Sequence, residues 1–190
     1  MCIHELALHP RVEERLYQEI RDKQEKYGEL TFECIAELKY LDCVIQEVSR
    51  KWSVAVMMDR VCTKAYIMPP PRRDGSPYVI HPGDLVYNLV NSVHMDGEHH
   101  PDPDTFNPDR FLDHNKQDIK SFTYMPFGMG PRSCLGMRYT MLKMKVLLYH
   151  IILNYKIVRC KRTTDPLRLQ PLDFSVRAMG DTYVRFERRT

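Results

Sequence analysis

The sequence predicts a mainly α chain with small β-sheets, an α+β fold, and three observations carry that expectation. Apolar residues recur at three- and four-residue spacing among charges over the first fifty positions. After Trp52, β-branched and aromatic residues gather between prolines, a texture that suits short strands rather than helix. From about Met137 to Leu153 an apolar stretch runs without Pro or Gly, which suits one long apolar helix.

In chain order, Met1 to His9 reads as the last turns of an amphipathic helix stopped by Pro10, with no capping residue before it. That uncapped start is the expectation of sequence upstream. Pro10 suits the first turn of a second helix, where a missing N–H costs nothing. Val12, Leu16 and Ile20 recur at fourfold spacing along it, and Gly28 ends it. Thr31 opens a short helical piece, and Leu38 to Trp52 forms a stronger helix with Leu41, Val44, Ile45 and Val48 on one side. Val54 to Tyr66 is rich in strand formers and Pro69 to Pro71 breaks it. Tyr78 to Ile80, the Pro82-Gly83-Asp84 turn and Leu85 to Tyr87 read as strand, turn, strand. Residues 96 to 126 form a long irregular stretch with four prolines, a length that a compact domain keeps for function. The tail alternates weakly at Lys156 to Cys160 and Tyr183 to Phe186, as small antiparallel strands do.

Composition excludes more than it selects. Hydrophobic residues make up 43% and charged residues 28%, which suits a globular chain and excludes obligate disorder. The net charge of +3 is spread along the chain without a basic cluster, so no nucleic-acid partner is expected. Six cysteines show no C-x-x-C pair and no framework spacing, which favours reduced thiols. No apolar run has the length of a membrane span, and no basic-then-apolar signal segment opens the chain.

Chemistry concentrates in Phe127-Gly128-Met129-Gly130-Pro131-Arg132-Ser133-Cys134-Leu135-Gly136. Gly128 and Gly130 let the backbone turn sharply and approach a flat ligand. Cys134 precedes the long helix, whose unpaired N–H groups and dipole favour a thiolate. Arg132 suits a carboxylate, and Gly136 leaves room beside the sulfur. Together these describe a deprotonated cysteine held against a planar anionic cofactor. Two other roles stand beside it: a buried small hydrophobe, and a thiol nucleophile. A phosphatase loop would want Arg six residues after the cysteine, where Thr140 stands, and zinc would want closer partners than Cys160, 26 residues on.

The segment resembles, position by position, the F-x-x-G-x-R-x-C-x-G signature of the cytochrome P450 family, a family in which haem iron is held by a cysteine thiolate. The resemblance covers residues 1–190 as the C-terminal, haem-binding portion of one such domain. It implies haem b as cofactor and Cys134 as the axial iron ligand and catalytic thiolate. Phe127, Gly128, Arg132, Gly136 and Thr140 would line the cofactor. Glu47-Val48-Ser49-Arg50 matches the family's E-x-x-R, and Phe106 to Phe111 resembles its P-E-R-F segment with Asp109 for Glu. Glu47, Arg50 and Arg110 would then form a buried charge network. Arg60 stands where the family places a haem-propionate arginine, so Arg60 and Arg132 would clamp the two carboxylates.

Val54, Ala55, Val56 and Met57 match a segment that faces a lipophilic substrate, with Phe174 near a second such loop. Interior strand remains the other reading of residues 54 to 58. His94, His99 and His100 fall in a loop whose residues are structural in the family. Ser53 and Val54 replace the family's usual Pro-Pro, which leaves the entry angle of the substrate loop open. The closest likeness is to microsomal, arthropod-type members that handle xenobiotics. That implies insertion of one oxygen atom of O₂, with electrons from NADPH through NADPH–cytochrome P450 reductase docking on the cysteine side. Arg138, Lys143 and Lys145 are candidates for that contact. It also implies the endoplasmic reticulum membrane, with the anchor and the oxygen-protonating pair upstream of Met1, and a chain that is inactive alone. A non-catalytic haem-binding or interaction remnant is the alternative.

Overall fold

Proline and glycine set the first boundaries. Helix α1 (Cys2–Leu8) ends two residues before Pro10, which occupies the first turn of α2 (Pro10–Tyr27). Gly28 ends α2 at φ 73°, a conformation that a side chain would strain. The computed structural model describes residues 1–70, 72–170 and 176–189. Helix α3 (Phe32–Ala36) is capped by the Thr31 hydroxyl, which accepts the Cys34 N–H at 3.2 Å. Helix α4 (Lys39–Lys51) lacks a cap of its own. Glu19 of α2 supplies one, accepting the Tyr40 and Leu41 N–H groups at 2.7 and 2.9 Å.

Among the described residues, six short strands form three two-stranded antiparallel sheets. Strand β1 (Met58–Val61) pairs with β4 (Leu85–Asn88), and β2 (Tyr66–Met68) pairs with β3 (Tyr78–Ile80). Strands β3 and β4 flank the Pro82-Gly83-Asp84 turn without pairing to each other. The turn instead ties back to Cys62, whose N–H reaches the Asp84 carbonyl and whose carbonyl takes the Gly83 N–H, both at 2.8 Å. Residues 54 to 57, inside the strand-rich stretch, carry no strand at all.

Helix α5 (Val90–His94) leads into the proline-rich stretch, which holds a 3-10 turn at Pro108–Phe111 and the one-turn α6 (Asp113–Lys116). A second 3-10 turn, Gly130–Arg132, precedes α7 (Met137–Asn154), which runs straight into β5 (Tyr155–Val158). Strand β5 pairs with β6 (Arg185–Arg188). The core joins these pieces: Leu16 and Ile20 of α2, Leu41 and Val44 of α4, Leu148 and Ile152 of α7 and Phe106 and Phe111 of the irregular stretch are buried together. Burying each such side chain stabilises by about 1.5–3 kcal/mol relative to leaving it exposed. Glu13, fully buried, fastens the tail by accepting from Arg189 at 2.6 Å and from the Ile157 N–H at 3.3 Å.

Candidate functional site

The second half of α4 turns a carboxylate and a guanidinium inward. Glu47 and Arg50 lie one helical turn apart and are both fully buried. Arg50 Nε and Nη2 donate to the two Glu47 oxygens at 2.8 and 2.9 Å, a bidentate pair. Two further guanidinium N–H groups go to backbone, Nη1 to the His94 carbonyl at 2.8 Å and Nη2 to the Pro103 carbonyl at 2.7 Å, and Nη1 also meets the Met95 sulfur at 3.6 Å. Glu47 also accepts the Asn107 N–H at 2.9 Å. One ion pair therefore fastens three points of a stretch with little regular structure to α4. Arg110 approaches the same carboxylate with Nε at 3.5 Å, an ionic contact too long to satisfy that buried N–H. Its Nη2 bonds to the Asp102 carbonyl at 2.7 Å.

The cysteine loop is built on backbone. Gly128 and Gly130 sit at φ 74° and 77°, so the chain can reverse twice within three residues. A Cβ at Gly128 would lie 3.3 Å from the Met58 sulfur, so the loop rests closely on β1. The Cys134 N–H closes the loop onto the Phe127 carbonyl at 2.8 Å. Cys134 is exposed and stands just before the N-terminus of α7. Gly136 lies between it and Thr140, where a Cβ would touch Cys134 Sγ and Thr140 Oγ1, both at 3.9 Å. Leu135 is entirely exposed, with Met129, Met137 and Phe122 also presenting apolar surface on this side.

Arg132 is exposed. Arg60 is exposed on β1 with Nη1 on the Asp59 carbonyl at 2.6 Å. Arg60 shares a cavity of about 240 Å³ with Met58, Val86, Phe122, Met129 and Gly130, which brings it to the cysteine loop. Substrate-loop candidates split. Val54 is 80% exposed, whereas Ala55, Val56 and Met57 are partly covered. Ser53 Oγ donates to the Ala55 carbonyl at 3.0 Å, and the Val56 carbonyl takes the Asn91 N–H at 3.1 Å. Phe174 lies outside the described residues. Lys145, expected on an outer docking face, is instead buried and bonds Asp42 at 2.7 Å and the Ile35 carbonyl at 3.1 Å. Arg138 and Lys143 are exposed on the same helix.

The donor set fits a group that carries its own metal. Among the described residues no cluster of three His, Cys, Asp or Glu side chains could hold a bare ion. One outward cysteine would suit a single bond to a metal already held by a macrocycle, with glycines leaving room beside it and two exposed arginines nearby. That combination defines a thiolate-ligated haem protein as a class.

Comparison with known proteins agrees. The family model described as Cytochrome P450 matches residues 1–183, so the chain belongs to the cytochrome P450 family, whose cofactor is haem b. Its relatives include cytochrome P450 9e2 of Blattella germanica, 37% identical over 188 residues, 98% of this chain and 34% of that protein. They also include probable cytochrome P450 9f2 of Drosophila melanogaster, 35% identical over 193 residues, and cytochrome P450 6j1 of Blattella germanica, 36% identical over 184. These matches cover 100% and 96% of this chain, and 37% and 36% of the relatives. The chain thus spans about a third of the length of the curated relatives it matches.

Proposed function

We propose that this chain supplies the cysteine-ligating part of a haem-thiolate monooxygenase that inserts one oxygen atom of O₂ into a lipophilic substrate. The supporting observation is the exposed Cys134, set at the start of α7 by the bond of its N–H to the Phe127 carbonyl and flanked by Gly136. Bound haem supplies the oxygen-activating redox chemistry. Within this reading, Cys134 would hold the haem iron through its thiolate, and Arg60 and Arg132 would pair with the two propionates. Gly128 and Gly136 clear the approach, while Phe127 and Thr140 flank it. Glu47, Arg50 and Arg110 hold the frame on which the loop rests. Val54 to Met57 present an apolar edge to substrate.

Electrons come from NADPH through its flavoprotein reductase, which meets the exposed cations Arg138 and Lys143 on the cysteine side. Residence at the endoplasmic reticulum membrane is proposed from the resemblance of the sequence to microsomal members of the family. No helix among the described residues is long and apolar enough to cross a membrane. The test is the reduced carbon-monoxide spectrum of protein made from the complete coding sequence, with Cys134→Ala beside it. The red-shifted thiolate band should appear in the parent and vanish in the variant. A band that survives the substitution rules out Cys134 as the ligand.

A further inference from the structure

Two buried histidines outside the site just described grip the segment that leads into the cysteine loop. The Met125 N–H donates to His94 Nε2 at 2.9 Å, and His100 Nε2 meets the Thr123 carbonyl at 2.9 Å. Between them the Tyr124 ring stacks on His94, with centroids 5.5 Å apart and planes 26° apart, and its hydroxyl donates to the Gln46 carbonyl of α4 at 3.2 Å. Thr123, Met125, His94 and His100 are all buried.

The His94 bond fixes its tautomer. A backbone N–H can only donate, so Nε2 must carry the lone pair and the ring proton sits on Nδ1. That Nδ1 is buried and has no hydrogen-bond partner. A buried donor left unmet is destabilising, so the fold keeps the less comfortable tautomer in order to hold Met125. Burial first, then the neighbouring His100 and Arg50, hold the ring neutral by pushing its pKa down to about 4.

His94 also connects two systems. Its carbonyl takes Arg50 Nη1 at 2.8 Å, so the buried ion pair of α4 sets its backbone. Its ring sets Met125, whose carbonyl takes the Gly128 N–H at 3.0 Å at the first turn of the loop. The same loop closes where Cys134 meets the Phe127 carbonyl. We infer that His94 is a positioning residue for Cys134: by accepting the Met125 N–H it couples the Glu47–Arg50 pair to the loop that aims the sulfur. This rests on the reading of Cys134 as the iron ligand. An apolar side chain could fill the space of the ring. It would leave the Met125 N–H unpaired at the root of the loop, and the sulfur would lose its fixed direction.

The test compares His94→Gln, whose longer amide can place an oxygen near the Nε2 position, with His94→Leu, which cannot accept. Both are made in the haem-loaded protein from the complete coding sequence. The readouts are the reduced carbon-monoxide spectrum, the half-life of its red-shifted band, and far-ultraviolet circular dichroism. The expected result is a Gln variant like the parent and a Leu variant with unchanged helicity that loses the band roughly tenfold faster, the order of one buried hydrogen bond. A Leu variant as stable in its band as the parent overturns the inference alone. Should Leu yield no folded protein, His94→Asn takes its place, its amide too short to reach Met125. Loss of the band in Asn but not in Gln supports the role, and equal behaviour of the two overturns it. A parent without the band removes the ligand reading, and this inference with it.

Discussion

The α4 anchor and the cysteine loop both depend on arginine, but they use it in opposite ways. Arg50 is wholly enclosed, its charge met by both Glu47 oxygens and two backbone carbonyls. Arg60 and Arg132 are exposed, and Arg60 donates to the Asp59 carbonyl beside it. An enclosed charge is stable only when its partners are complete, so the anchor tolerates little change. An exposed one is cheap to keep and available to something else. Frame and contact surface are thus separate in this chain, and substitutions should separate them too.

The largest effect should come from breaking the anchor. Glu47→Ala strands Arg50 and should cost roughly 3–5 kcal/mol in urea unfolding of the protein from its complete coding sequence. A loss under about 1 kcal/mol would erase the contrast with the exposed arginines.

Next in size is a pH effect centred on His94, which Arg50, His100 and the Tyr124 ring face. Its folded pKa lies near 4, below the unfolded 6.5, so the unfolded chain takes up the proton first. The neutral ring's advantage is therefore intact above pH 6.5 and declines toward pH 4, by up to about 3 kcal/mol. Unfolding curves across that window check it, and His94→Gln should flatten them. Glu37 titrates in a lower window: its partners Lys23, Lys26 and Tyr27 hold its pKa near 2. Its contribution is present above pH 4.5 and falls away as pH drops toward 2.

Smaller still is a contrast along α7. Asp42→Ala leaves the buried Lys145 with only the Ile35 carbonyl and should cost about 1–3 kcal/mol. Lys143→Ala, on the exposed face, should stay within about 0.5 kcal/mol. The smallest stability change belongs to Arg132→Ala, also within about 0.5 kcal/mol, yet haem should leave that variant faster than the parent. Transfer of haem to an excess of apomyoglobin measures this, and an unchanged rate would remove Arg132 from the propionate contact.

What could be read in advance follows how far each feature reaches along the chain. Pro10, Gly28 and Thr31 act within a turn of themselves, and the helix boundaries they mark fall where the residues place them. The glycines and cysteine of residues 127 to 136 likewise declare a tight loop locally. Strand pairing does not work this way. Tyr78 to Ile80 and Leu85 to Tyr87 look like partners across a turn, but each takes an earlier strand, a choice made by packing at a distance. Val54 to Met57 have strand composition yet no partner, because Ser53 and Asn91 satisfy two of their carbonyls. Lys145 sits on a helix with apolar residues most of the way around, and its partners Asp42 and Ile35, 103 and 110 positions earlier, reveal which way it faces. The bond from Met125 to His94 spans 31 positions and follows no spacing rule, so no local pattern could have named it.

The most direct measurement is X-ray absorption at the iron edge of the haem-loaded protein from the complete coding sequence, beside its Cys134→Ser variant. The parent should show one sulfur in the first coordination shell, bonded to iron, and the variant none. A parent iron with only nitrogen and oxygen neighbours would contradict Cys134 ligation, as would a sulfur that persists after Cys134 is replaced.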